Sequence, residues 1–134
     1  MSDTTFGIDF GTTNSLAAVS VGGKVLPLLD QVSRRPHPSV IWYRGANTLV
    51  GREARQHLDS TEGGAPPGFV KSPKMCLRRK GPIFVDGRPV EPTDAVAEVF
   101  RHLKADANLS RGAAAGYDLI NAVVTIPVDF GGPE

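Results

Sequence analysis

Apolar and polar side chains alternate over residues 5–10, the period of two that is typical of a strand with one buried face. In such a strand Asp9 points away from the apolar face. Residues 16–21 and 24–29 have strand-like composition on either side of a Gly-Gly pair, which favours a two-residue hairpin turn. The pattern therefore predicts an antiparallel meander of three strands at the start of the chain.

The middle of the chain consists of shorter elements between proline- and glycine-rich loops. With 15 Gly and 11 Pro in 134 residues, regular pairing is interrupted, most clearly at residues 34–38 and 59–68. The composition between these loops predicts strands at 39–43 and 48–50, a short helix at 51–58, and a hairpin with an Asp-Gly turn at 82–90. Residues 69–77 are ambiguous.

The strongest helical pattern extends from Pro92 to Asn108. Its apolar residues recur at helical spacing and are Ala95, Val96, Val99, Phe100, Leu103 and Ala107. Pro92 suits the first helical position, and Asp94 suits the positive end of the helix dipole. After a small-residue loop at 110–116, residues 119–126 are almost entirely apolar and end at Pro127, as expected for a strand covered on both faces in a parallel sheet. The whole pattern predicts an α/β fold with a mixed sheet.

Composition and charge narrow the classes of function. The 15 Lys and Arg nearly balance the 14 Asp and Glu, so bulk charge favours neither nucleic acid nor an anionic membrane. No apolar run is long enough to span a bilayer, and residues 1–5 lack the features of a secretory signal. Cys76 is the single cysteine and fits a reducing compartment. We therefore expect a cytoplasmic protein with neither a nucleic-acid nor a membrane partner.

The histidines and the cysteine do not form a recognisable site in the sequence. His37, His57 and His102 are scattered, with no carboxylate or cysteine at ligand spacing, which argues against a metal site built on them. His102 is expected on the polar side of the helix stripe. Cys76 has no evident base nearby, so we expect it to be structural.

The chemically informative segment is Gly-Ile-Asp-Phe-Gly-Thr-Thr-Asn-Ser at residues 7–15. Gly11 lets the backbone approach a ligand closely, and successive N–H groups in such a turn form an anion-binding concavity. Thr12 and Thr13 add hydroxyl donors, and Asp9 can hold Mg²⁺ through water. The segment suits the β- and γ-phosphates of a metal-bound nucleotide, with an ordinary polar hairpin turn as the alternative. The G-x-x-x-x-G-K-[ST] pattern of a P-loop is absent.

Segments along most of the chain resemble the actin-like ATPase superfamily. The nonapeptide at 7–15 resembles its first phosphate loop, which sugar kinases share. Other segments resemble the seventy-kilodalton heat-shock chaperones specifically, and these are Pro-Ser-Val-Ile at 38–41, Leu-Val-Gly-Arg-Glu-Ala at 49–54, Lys-Ser-Pro-Lys at 71–74, the helix at 92–108, and Asn-Ala-Val-Val-Thr-Ile-Pro at 121–127. The resemblance is collinear from about residue 6 to residue 130 and implies a ribonuclease-H-like fold with a small α+β insertion.

The resemblance implies roles for the residues of the first phosphate loop. Asp9 would hold Mg²⁺ and its waters. Gly11, Thr12, Thr13 and Asn14 would wrap the phosphates of ATP or ADP, with Thr12 near the γ-phosphate. Asp9 and Thr12 would thereby take part in catalysis.

The resemblance also implies a catalytic lysine. Lys74 would stabilise charge on the transferring phosphoryl group and orient the attacking water, which agrees with the need for positive charge at the equatorial oxygens. Lys71 is the alternative. The Ser-Pro-Lys sequence favours Lys74, because the family has a Ser-x-Lys at this point.

The resemblance further implies that the chain is a truncated part of a longer protein. Residues 1–35 and 116–134 would form the core sheet of the first lobe, and residues 36–115 an inserted subdomain. The family's second phosphate loop, adenosine pocket and peptide-binding domain would lie outside these residues, so we expect little or no turnover from the chain alone. The whole protein is expected to be an ATPase that acts on polypeptide clients with co-chaperones in the stress response.

Some features depart from the family or leave alternatives. His37 replaces the usual Thr before Pro38, and residues 128–132 differ from the corresponding chaperone segment, which indicates a divergent branch. A small-molecule (sugar-type) kinase of the same superfamily and a non-catalytic interaction module are the alternative functions. The apolar edge at 119–126 also leads to the hypothesis that the fragment self-associates.

Overall fold

The structure, a computed structural model, describes residues 5–109 and 122–125. Ten strands and three helices occur in these residues. The strands are β1 (Thr5–Phe10), β2 (Asn14–Val21), β3 (Lys24–Leu28), β4 (His37–Pro38), β5 (Ile41–Arg44), β6 (Asn47–Val50), β7 (Phe69–Val70), β8 (Ile83–Val85), β9 (Arg88–Val90) and β10 (Ala122–Thr125). The helices are α1 (Arg52–Asp59), α2 (Pro73–Cys76) and α3 (Pro92–Asn108).

The main sheet is mixed and begins with the predicted meander. Its strand order is β10-β1-β2-β3, with β4 paired to β2. The β1–β2 and β2–β3 pairs are antiparallel, whereas β10 runs parallel to β1. Gly22 (φ 58°) and Gly23 (φ 80°) are both left-handed at the tip of the β2–β3 hairpin, a conformation that glycine adopts without a steric penalty. The predicted α/β fold class and mixed sheet are confirmed.

Two smaller sheets lie in the middle of the chain. Strands β6-β5-β7 form one, and β8-β9 form a hairpin whose turn has Asp86 and Gly87 at positive φ, as the Asp-Gly pair predicts. The ambiguous residues 69–77 contain both β7 and α2. The loop prediction at 34–38 is wrong at its end, because His37–Pro38 pairs with Asn14 and Ser15 of β2. Proline excludes a long central strand there but permits this short pairing at the sheet edge.

Helix α3 packs its apolar stripe into the core. Ala95, Val99, Leu103 and Ala107 are buried, and their four-residue spacing puts them on one face. The Phe100 ring contacts the Phe10 ring edge-on at a centroid distance of 5.2 Å. Phe10 is the last residue of β1, so the helix supports the strand that leads into the Gly-Thr-Thr segment. No helix in the described part of the chain is long and apolar enough to cross a membrane.

Strand β10 belongs to a parallel pair, as predicted, and its partner is β1, with Ile8 opposite Val124. The expectation that both of its faces are covered is wrong for the described residues, because Ala122 and Thr125 are exposed and Val123 is 68% exposed. An apolar sequence favours burial of a strand, but the exposed fraction of its side chains depends on the elements that pack against it. The predicted loop at 110–116 and the stop at Pro127 lie outside the described residues, and self-association through this edge stays a prediction.

The Tyr43 side chain on β5 packs against the hydrophobic core. Its hydroxyl is buried and has no hydrogen-bond partner among the described residues. Burial, with smaller contributions from Glu98 and Asp94, raises the pKa of Tyr43 to about 12. The folded state therefore favours the neutral phenol. The free energy of folding that comes from this pKa difference is fully present below the ordinary tyrosine pKa of about 10. It is lost as the pH rises through the pKa of Tyr43 in the folded state.

Tyr43→Phe is expected to be at least as stable as the wild type near neutral pH, because it removes a buried, unpaired hydroxyl. As the pH rises from about 10 towards the folded-state pKa, the wild type should lose stability that the variant keeps. Urea unfolding of both proteins at neutral and at alkaline pH measures the two effects. A difference in unfolding free energy that does not change with pH would contradict the raised pKa.

Candidate functional site

The turn at residues 11–13, called the β1–β2 loop below, gathers the predicted phosphate-binding side chains at one end of the main sheet. Asp9 is exposed on β1 and points away from the core, as the alternation predicts. Thr12 and Thr13 are exposed on the loop, and Asn14 is exposed at the start of β2. One carboxylate, two hydroxyls and one amide are thus presented to solvent by six consecutive residues.

Ser39 is hydrogen-bonded to two residues of the β1–β2 loop. Its hydroxyl donates to the Gly11 carbonyl oxygen over 3.0 Å, and its backbone N–H donates to the Thr13 carbonyl oxygen over 2.8 Å. The Ser39 hydroxyl also lies 2.8 Å from the Ser15 hydroxyl, and both serines are buried. Because Ser39 has a single hydroxyl proton and gives it to Gly11, Ser15 is the donor in this pair. Neither serine was predicted to support the loop, although Ser39 lies in the distinctive Pro-Ser-Val segment at 38–40.

Gly11 is required by the close approach of the loop to β2. A Cβ atom at this position would overlap the backbone carbonyl oxygen of Asn14. The overlap involves backbone on both sides, so no side-chain rotation relieves it. The glycine therefore sets the tight course of the loop that brings Thr12 and Thr13 above Ser39.

Asp9 is oriented by a neighbouring strand. The Thr125 hydroxyl on β10 lies 3.2 Å from Asp9 Oδ1 and donates to it, since the two residues are opposite each other in the parallel pair. The other carboxylate oxygen has no such contact from Thr125. The role of Thr125 was not predictable from local sequence, because Asp9 is more than a hundred residues away from it in the chain. An oriented carboxylate beside exposed hydroxyls is a donor set that fits a magnesium-bound phosphate.

A groove of about 450 Å³ opens beside Thr13 and Asn14. Arg35, Arg52 and Arg55 lie along it, so its charge is predominantly positive. A positive groove at the end of the loop favours an anionic ligand.

No hydrogen bond or ion pair among the described residues joins either candidate lysine to the β1–β2 loop. Lys74 is half-buried in the first turn of α2, which packs on α3. Lys71 is exposed, just beyond β7. The Lys74 ammonium forms no ion pair within the part of the chain that the structure describes. The choice between the two lysines stays a prediction.

Asp30, His37 and His102, called the histidine cluster below, come together in the structure. His37 Nδ1 lies 3.0 Å from His102 Nε2 and 3.8 Å from Asp30 Oδ2. The prediction that the histidines are scattered, without a carboxylate at ligand spacing, is therefore wrong for His37 and His102, which lie next to each other and to Asp30 in the fold. His37 on β4 and His102 on α3 are 65 residues apart in sequence, so no local spacing could have shown the contact.

The expectation that His102 lies on the polar, solvent-facing side of α3 is also wrong. It is half-buried, and a Cβ atom on Gly51 would lie only 2.7 Å from its Nε2. Burial, followed by the influence of His37, lowers the pKa of His102 to about 4. The ring is therefore neutral at pH 7.

The carboxylates around the histidine cluster differ in their environments. Burial raises the pKa of Asp30, but the N–H groups of Ser33 and Val32 and the charge of Arg52 outweigh it, so the net change in that pKa is downward. Asp106 lies 3.4 Å from His37 Nε2 through its Oδ2 atom. Burial raises the pKa of Asp106 and outweighs the opposing effect of His37.

Cys76 is half-buried, and its thiol faces the Ser72 carbonyl oxygen at 3.5 Å. Burial raises the pKa of the thiol, with Arg79 acting in the opposite direction. A raised pKa disfavours the reactive thiolate, which agrees with a structural role.

Comparisons with known proteins point in one direction. The sequence profile of the family described as Hsp70 protein matches residues 5–63. The chaperone protein DnaK of Mycoplasma mycoides subsp. mycoides SC is 30% identical over 124 residues, which cover 92% of this chain and 20% of that protein. DnaK of Deinococcus proteolyticus is 33% identical, and DnaK of Deinococcus radiodurans is 32% identical. Each match covers 92% of this chain and 22% of the relative.

The chain spans about a fifth of the length of these curated relatives. The family match includes the meander, the β1–β2 loop and the Ser39 segment. The mixed sheet with its leading meander agrees with the actin-like ATPase fold that the family implies. The family match and the DnaK relatives together support a fragment of an Hsp70-type ATPase domain.

Proposed function

We propose that the whole protein binds and hydrolyses ATP and couples this reaction to chaperone work on polypeptide clients, assisted by co-chaperones. The observation that carries the proposal is the β1–β2 loop, with exposed Thr12 and Thr13 held above buried Ser39 and next to an oriented Asp9. The relatives named chaperone protein DnaK support the same function. We place it in the cytoplasm and in the stress response, in line with the family.

In this proposal each residue of the loop has a separate task. Ser39 binds the loop through the carbonyl groups of Gly11 and Thr13, so the loop N–H groups stay available to an anion. Thr12 donates a hydroxyl hydrogen bond near the γ-phosphate, and Thr13 and Gly11 contact the phosphates with Asn14. When bound, the magnesium nucleotide supplies the transferable phosphoryl group.

The charged residues would bind the metal ion and stabilise the negative charge that develops on the transferred phosphoryl group. Asp9 holds Mg²⁺ and its waters through the carboxylate that Thr125 orients. Lys74 stabilises charge on the phosphoryl group and orients water, with Lys71 as the alternative. The arginines of the neighbouring groove favour the approach of an anion.

We further propose that the chain has two structural parts. Residues 1–35 and 116–134 form the core sheet of the first lobe, and residues 36–115 form an inserted subdomain. The second half of the nucleotide site belongs to segments of the family outside these residues. The isolated chain is accordingly expected to bind nucleotide without appreciable turnover.

A thermal melt with and without Mg-ATP tests whether this chain holds a phosphate site. At a ligand concentration about 100 times Kd the wild type gains about 2.7 kcal/mol, which raises Tm by roughly 8 °C for a chain of this size. Asp9→Asn should lose the gain, because the neutral amide keeps the acceptor for Thr125 but removes the charge that attracts the metal.

Asp86→Asn is the matched control, since Asp86 is an exposed carboxylate in a hairpin turn and asparagine tolerates its positive φ. This variant should keep the full nucleotide-dependent shift. An equal shift in Asp9→Asn would contradict the assignment of Asp9. No shift in the wild type would contradict a phosphate site formed by this chain alone.

A further inference from the structure

The histidine cluster has the composition and geometry of an unassigned metal site. We propose that Asp30, His37 and His102 bind a divalent transition-metal ion of the zinc type, at a place separate from the β1–β2 loop. Each residue offers one ligand atom, and the three atoms lie within 4.8 Å of one another. Two imidazole nitrogens and one carboxylate oxygen form a ligand set that zinc accepts, whereas magnesium and calcium prefer oxygen alone.

Two of the three distances between the ligand atoms are close to those around a tetrahedral ion, and all three atoms lie within 4.8 Å of one another. Zinc bonds of roughly 2.0–2.1 Å in a tetrahedron place neighbouring ligand atoms about 3.3 Å apart. The observed separations from His37 Nδ1 are 3.0 Å to His102 Nε2 and 3.8 Å to Asp30 Oδ2, on either side of that value. Side-chain movements of well under an ångström would bring these two pairs to the required spacing.

The two carboxylate oxygens of Asp30 have different partners. Oδ1 accepts the backbone N–H groups of Val32 and Ser33, each over 2.8 Å, and the Arg52 Nε–H over 3.3 Å. Oδ2 is the atom directed at His37. The carboxylate is therefore fixed through one oxygen while the other is available as a ligand.

The second nitrogen of His37 faces a carboxylate in the way that metal-binding histidines commonly do. His37 Nε2 lies 3.4 Å from Asp106 Oδ2, a buried oxygen that receives no hydrogen bond within the described residues. A proton on Nε2 would be directed towards this oxygen and would leave the Nδ1 lone pair free for the ion. Asp106 is thus a positioning residue, and a bound ion would tighten this contact.

A cavity of about 420 Å³ adjoins the histidine cluster. Asp30 and His102 line this cavity together with Glu53 and Glu98. Water or an acidic side chain could therefore complete the coordination, as at zinc sites with three protein ligands. The cavity is lined by four carboxylates and two arginines, Arg52 and Arg101, and this excess of negative charge favours a cation.

Zinc binding to the purified, tag-free chain tests the proposal, with Cys76→Ala present throughout so that the thiol does not compete. Equilibrium competition against a chromophoric chelator should give one zinc per chain. His102→Gln should weaken Kd by about 100-fold or more, and Asp106→Asn by about tenfold through the lost positioning. His57→Gln is the matched control, because His57 contacts the Trp42 ring away from the cluster and should bind zinc like the wild type.

Ring-nitrogen NMR of the unmutated cluster decides the question even if His102→Gln fails to fold. Zinc should shift His37 Nδ1 and His102 Nε2 and leave the His57 ring unchanged. Binding with equal affinity in folded His102→Gln, or zinc-induced shifts at His57 alone, would overturn the proposal. The absence of stoichiometric binding would show that the two rings only share a hydrogen bond, which would also overturn it.

Discussion

Replacing Lys74 by alanine in the whole protein is expected to slow hydrolysis of bound ATP by about 10²–10³-fold, the loss typical of one charged or hydrogen-bonding group at a transferring centre. Nucleotide affinity should change much less, because Asp9 and the β1–β2 loop still hold the phosphates. Single-turnover hydrolysis measures the rate constant, and equilibrium nucleotide binding measures the affinity. The rate constant should therefore fall while Kd stays close to the wild-type value.

Lys71→Ala is the matched control for the same measurement. Lys71 is exposed and three residues away in the same segment, so its loss should leave the rate constant near the wild-type value. The reverse result would transfer the catalytic role to Lys71. Wild-type rates in both variants would refute the proposal that this segment supplies the catalytic lysine.

Gly11→Ala is expected to remove the Mg-ATP-dependent rise in Tm and to destabilise the chain by about 2–3 kcal/mol. The added Cβ overlaps the Asn14 carbonyl oxygen, so the β1–β2 loop must move away from its place above Ser39. The hydrogen bonds from Ser39 to Gly11 and Thr13 would then weaken or break. Urea unfolding and thermal melts with Mg-ATP measure the two losses separately.

Gly7→Ala serves as the control within the same motif. A Cβ atom at Gly7 would have its nearest neighbour, the Val123 carbonyl oxygen, at 3.8 Å, an ordinary van der Waals distance. This variant should stay within about 1 kcal/mol of the wild type and keep the nucleotide response. A normal nucleotide response in Gly11→Ala would mean that the tight course of the loop is not needed for binding.

The elements that sequence predicted well are those governed by local periodicity and turn chemistry. The alternation at residues 5–10 predicted β1 and the outward direction of Asp9, and the glycine pair predicted the β2–β3 hairpin. The stripe in Pro92–Asn108 predicted α3 with the same bounds that the structure has. These features depend on residues within a few positions of one another, so the order of the amino acids contains the necessary information.

The candidate site was predictable only in part. The residues of the β1–β2 loop were identified because they are consecutive and chemically distinctive. Their supports were not identified, because Ser39 reaches the loop from another strand and Thr125 reaches Asp9 from the far end of the chain. Lys74 lies on α2 and Lys71 precedes it, and their position relative to the loop depends on tertiary packing that local composition does not encode.

The sequence by itself determined the α/β class, the leading meander, the long helix and the loop that carries the proposed phosphate chemistry. Only the tertiary structure decided the exposure of Val123 on β10 and the meeting of His37 with His102 and Asp30. The physical reason is the range of the interactions. Backbone propensity and side-chain alternation act between near neighbours, whereas burial and side-chain clusters arise when distant segments pack together.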